Sequence, residues 1–71
     1  MSNDKFVRIS GITIGADSRT GMAFRIETGN DGFWVPYSVC RERTVTHNKL
    51  QDSIIVAAWW AEKNELEGEP V

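Results

Sequence analysis

An apolar pattern that changes parity within one run constrains this chain more than any other feature. Val7 and Ile9 share one parity, and Ile12 and Ile14 share the other. Side chains alternate across a strand with a period of two, so both pairs can reach the same core only if an extra residue intervenes. Ser10-Gly11 is where that residue fits. Phe6 to Ile14 therefore reads as a strand, or two strands, with a β-bulge or sharp bend at Gly11. Small sheets use such bends to curl onto themselves.

The rest of the chain supplies the partners for that strand. Gly15 to Gly21 reads as a loop with a glycine at each end. Met22 to Thr28 alternates cleanly: Met22, Phe24 and Ile26 on one side, Ala23, Arg25 and Glu27 on the other. Gly29-Asn30-Asp31-Gly32 is the clearest turn. Phe33-Trp34-Val35-Pro36-Tyr37-Ser38-Val39, the densest apolar stretch, returns from it. Met22–Tyr37 is thus expected to be a β-hairpin, with Phe33, Val35 and Tyr37 on the core face. Trp34 falls on the outer face beside Arg25 and Glu27. Pro36 has no N–H for a ladder and marks a strand end or an edge.

Beyond it, Val39 to His47 carries β-branched residues and alternating charge, favouring an exposed strand over a helix. Asn48 to Ser53 reads as a turn in which Leu50 is a candidate plug, and Ile54-Ile55-Val56 as a short buried strand. Ala57 to Leu66 has helical composition. Trp59 and Leu66 fall on one helical face and Trp60 about 100° away, so one tryptophan fills the core and the other sits at its margin. Gly68 and Pro70 would end the helix. The expected fold is one domain spanning residues 1–71, mainly β with a C-terminal helix. It is a small curled antiparallel sheet or open barrel, of SH3-like or OB-like size, capped by one short helix. Residues 1–4 and 67–71 are expected to be flexible.

Seventy-one residues bury a small core and leave a thin margin of stability, which keeps a homodimer open as a source of support. Cys40 is the only cysteine, which fits a reducing compartment and suggests the cytoplasm. The polar start, Met1-Ser2-Asn3-Asp4-Lys5, leads straight into the alternating pattern and does not resemble a leader. The run Ile54–Ala61 is far shorter than the roughly 20 residues that cross a bilayer. The net charge is −2; Glu62, Glu65, Glu67 and Glu69 against Lys63 give the C-terminal segment −3, so residues 1–61 carry +1. A strong duplex-DNA binder needs a clear basic excess, which is missing.

Chemistry-bearing constellations are scarce. Cys40 and His47 form the only thiol–imidazole pair, and their spacing of seven would split them across a strand. Ser38 lacks the glycines of a nucleophile elbow. One cysteine and one histidine cannot complete a four-ligand zinc site, and Gly11, Gly15 and Gly21 lack phosphate-loop spacing. The expectation is a non-enzymatic protein with no metal and no cofactor. Trp34, Tyr37, Arg25, Arg41 and Arg43 would make an aromatic, basic platform for single-stranded nucleic acid or a nucleotide if their strands were neighbours. The same outer-face tryptophan ringed by arginine and tyrosine has the composition of a protein-binding hot spot. Trp34, Tyr37, Arg41, Arg43 and Trp60 are the candidate contact residues, with Trp34 as anchor and Trp60 as the helix-side contact.

Two blocks, Trp34-Val35-Pro36-Tyr37-Ser38 and Ile54 to Leu66 with Trp59-Trp60-Ala61-Glu62-Lys63 at its centre, carry a resemblance. The chain resembles a group of small proteins from phages and other mobile elements. These have a tryptophan, an aliphatic residue, proline, any residue and serine after a hairpin, then a helix reading roughly Trp-Leu-Ala-Glu-Lys. Tyr37 stands where lysine is common in the group, Ala57 where proline often opens the helix and Trp60 where leucine is usual. The resemblance covers roughly the C-terminal half. It implies work inside a bacterial cell, with the binding and blocking of a host protein, including components of defence systems, as the leading expectation, and a phage protein as the other candidate partner. Binding of nucleic acid or sequestration of a nucleotide signal is the alternative, and a homo-oligomeric assembly factor is the third.

Overall fold

The computed structural model describes residues 5–71; the expectation for residues 1–4 lies outside it. The chain forms β1 (Phe6–Asp17), β2 (Ala23–Glu27), β3 (Gly32–Pro36), a 3-10 turn (Tyr37–Val39), β4 (Cys40–Thr44), β5 (Asp52–Ala57), the helix α1 (Ala58–Lys63) and β6 (Glu69–Pro70). All pairings are antiparallel, in the order β3-β2-β1-β5-β4, with β6 added to β1.

β1 is long because it serves two partners. Phe6 to Ile12 pairs with β5, and the ladder to β2 runs from Thr13↔Glu27 to Asp17↔Phe24. The β5 ladder skips Gly11, which sits at φ +71°. This bulge changes the parity, so Ile9 and Ile12 are both buried in one core. The strand runs on to Asp17 through a second irregularity between Ile14 and Asp17. The loop expected from Gly15 therefore begins only at Ser18, whose N–H donates to the Ala23 carbonyl.

The hairpin forms as its alternation dictates, with Phe24↔Val35 and Ile26↔Phe33 facing inward. Phe24, Ile26 and Val35 are fully buried. Met22, expected on the core side, lies just before β2 and is 72% exposed. The turn closes with the Thr28 N–H on the Asp31 carbonyl and Gly29 at φ +108°. Pro36 ends β3, as a residue without an N–H should.

The sheet does not close into a barrel. β3 and β4 end the strand order and are joined by the turn Tyr37–Val39, but no ladder links them. β5 carries the centre of the core: Ile54 and Val56 join Ile9, Ile12 and Phe24, with α1 adding Trp60 and Ala61. The helix is shorter than expected. Leu66 N–H donates to the Ala61 carbonyl and Glu65 N–H to the Glu62 carbonyl, with Glu65 at φ +58°. This is a Schellman ending with glutamate where glycine is usual. Within the segment 67–71, expected to be flexible, Glu69 and Pro70 form β6: Pro70 pairs with Val7 and Glu69 with Arg8. Leu50, the candidate plug, is 37% exposed and plugs nothing.

Candidate functional site

The outer face of the hairpin is built by register. Arg25 stands directly opposite Trp34, and Glu27 opposite Gly32. Because Phe24, Ile26 and Val35 point inward, Arg25, Glu27 and Trp34 must point outward. Trp34 is 50% exposed. The Arg25 guanidinium lies 5.8 Å from the Trp34 ring centroid and its Nε lies 3.8 Å from Glu27 Oε2. It also lies over Gly32, where a methyl would have no room. The ion pair is long and exposed, so its own contribution to stability is small. It leaves the guanidinium beside the indole, on a hairpin packed from beneath by three fully buried side chains.

A second strip continues the face onto β1. Thr13 pairs with Glu27, and the Leu50 N–H donates to the Thr13 hydroxyl at 2.8 Å. Leu50 itself is held at φ +60° and His47 at φ +65°, backbone that L side chains adopt only when the surroundings impose it. Asp52 anchors the start of this loop. Its buried carboxylate accepts from the Ile14 N–H at 2.8 Å, the Thr46 N–H at 2.8 Å and the Thr46 hydroxyl at 2.9 Å. The Ile14 bond, then the Thr46 N–H, holds the carboxyl below its ordinary range. The loop carrying Leu50 is thereby tied to the point where β1 leaves β5 for β2.

Of the five candidate contact residues only Tyr37 and Arg43 come together, away from Trp34. Trp34 is on the outer face as expected. Arg43 lies on the other side of the sheet, with its guanidinium 4.9 Å from the Phe24 centroid and 5.2 Å from that of Tyr37. Tyr37 is half-buried against the core and tilted on Phe24 at 5.0 Å, and its hydroxyl donates to Asp17. That bond to Asp17 pushes the Tyr37 pKa up. Arg41 sits at another corner, 5.2 Å from the Phe6 centroid. Trp60 is no contact residue: it is 6% exposed and part of the core, whereas Trp59 is 48% exposed. The helix ends at Lys63, so the face expected to align Trp59 with Leu66 never forms, and the turn at Glu65 brings Leu66 to the core independently.

Other candidates settle elsewhere. The Cys40 thiol is half-buried, donates to the Glu42 carbonyl at 3.4 Å and is pushed up in pKa by burial. His47 lies beyond the end of β4 in the exposed loop, not on a shared strand with Cys40. A hollow of 490 Å³ is lined by Lys5, Phe6, Val7, Ala58, Pro70 and Val71. Among these only Lys5 offers a polar side chain, so nothing converges there on a reacting group. No helix among the described residues is long and apolar enough to cross a membrane.

No family model, no curated protein and no solved structure matches the chain.

The outer face thus presents a half-exposed indole beside a guanidinium, on a hairpin packed from beneath. Thr13 and Asp52, which the sequence does not mark, and Leu50, read there as a plug, border that face. Asp52 adjoins an apolar run and reads as a turn residue. Only the juxtaposition of Thr46 and Ile14 shows it to be a clamp.

Proposed function

We propose that this is a non-enzymatic protein-binding module of phage or mobile-element origin, which acts in the bacterial cytoplasm by occupying and blocking a surface of a host protein. The observation that carries this reading is Trp34, half exposed on the outer face of the hairpin and flanked by Arg25. A tryptophan beside an arginine on a preorganised strand pair is the composition of an interaction anchor. The resemblance to small phage proteins supports the setting, and the lone half-buried thiol of Cys40 suits a reducing cytoplasm.

The dispersal of the arginines favours protein over nucleic acid. A single-strand platform needs stacked aromatics and cations on one continuous face. Here Arg43 caps the inner aromatics, Arg41 covers Phe6 and only Arg25 accompanies Trp34. Arg25 is itself offset by Glu27. The test is affinity capture from bacterial lysate with and without nuclease. The reading expects one host protein retained through nuclease treatment; retention of nuclease-sensitive material alone would replace it with nucleic-acid binding.

A further inference from the structure

The outer face of β1, β2 and β3 consists of two rows that complement each other. One row runs Gly15, Arg25, Trp34: Arg25 is opposite Trp34, and a methyl on Gly15 would lie 3.6 Å from Arg25 Cβ. The next runs Thr13, Glu27, Gly32, from the pairs Thr13↔Glu27 and Glu27↔Gly32, with Leu50 attached through Thr13. Each row holds one central charge, one glycine end and one end that carries a side chain, Trp34 in the first and Thr13 in the second, in opposite order and with opposite charge.

A two-fold axis lying in this face, across the strands and midway between Arg25 and Glu27, exchanges the rows. Arg25 then meets Glu27 of a second copy, and Glu27 meets Arg25. Trp34 falls over Gly32 of the second copy, and Thr13 falls over Gly15. Opposite charges and large-on-small contacts coincide under one operation, which is what an isologous interface requires. We propose that the Trp34 face pairs with the same face of a second copy of this chain, masking the docking surface until a partner displaces it. This rests on the reading of that face as a protein-docking surface, and it names the occupant in the partner's absence. In the single chain the Arg25 guanidinium lies over Gly32; on pairing it turns to Glu27 of the second copy and leaves Gly32 to the incoming indole.

The pairing predicts a charge-swap signature. Sedimentation equilibrium would compare wild type with Glu27→Arg, Arg25→Glu and the double swap Arg25→Glu/Glu27→Arg, each checked for folding by circular dichroism. Both positions are exposed, so the fold should survive. Wild type should dimerise, each single reversal should weaken the dimer at least about tenfold through like-charge contact, and the double swap should restore it. A wild type that stays monomeric up to about 200 μM, or a dimer indifferent to the single reversals, would overturn the pairing. A monomer that still retains a nuclease-resistant host protein would overturn the pairing alone. A charge-sensitive dimer that retains no other protein would overturn the host-protein reading alone.

Discussion

The Arg43 guanidinium lies 4.9 Å from the ring centroid of Phe24, although β4 and β2 share no ladder. Arg43 pairs with Ile54 on the inner side of the sheet and reaches across the gap where a barrel would close with backbone hydrogen bonds. The same cation covers Tyr37, whose hydroxyl reaches Asp17 on β1. Side chains thus seal a seam that the backbone leaves open. Arg43→Ala should lower stability by about 1–2 kcal/mol, from the lost cation–π contacts and the uncovered rings. Arg43→Met, which keeps an apolar stem, should lose less. Urea denaturation of the two variants checks the order.

The adjacent tryptophans should behave oppositely. Trp60 is in the core, so Trp60→Ala should cost about 3–5 kcal/mol, enough to unfold a domain this small. Trp59 is half exposed, and Trp59→Ala should cost far less, about 1 kcal/mol or below. Thermal melts followed by circular dichroism separate the cases.

Asp52 makes the fold acid-sensitive. Its folded carboxyl titrates below the unfolded value of about 3.9, chiefly because of the Ile14 N–H. A depressed carboxyl contributes stability that is full above the unfolded pKa and is lost as pH falls through the folded one. The urea midpoint should therefore decline below about pH 4, and Asp52→Asn should flatten that part of the decline while lowering the midpoint at neutral pH.

Glu65 occupies the left-handed position that ends α1, at φ +58°. Glycine adopts this conformation without the Cβ penalty. Glu65→Gly should therefore stabilise the protein by about 0.5–1 kcal/mol, read as a rise in melting temperature.

These residues also show what could be read from the chain. The bulge at Gly11 was legible because a parity change has one local solution, and the hairpin because alternation and the Gly29–Gly32 turn agree. Trp59 and Trp60 were not separable: their roles depend on where the helix stops, and a glutamate in the left-handed position gives no warning. The single basic platform failed because it needed β4 beside β3, whereas β4 pairs with β5 at the far end of the sheet; the same separation leaves the curled antiparallel sheet unclosed. Trp34 was placed correctly because hairpin register is local. Thr13, Gly15 and Leu50, which complete its face, come together only through the long-range pairing of β1 with β2 and the bond from Leu50 to Thr13.

The central claim is that Trp34 is a docking anchor and not part of the core. Trp34→Ala tests it most directly, with melting temperature and nuclease-treated capture measured on the same preparation. The account predicts a melting temperature close to wild type together with loss of the retained host protein. An unfolded variant, or one that keeps the same protein on the column, would contradict it.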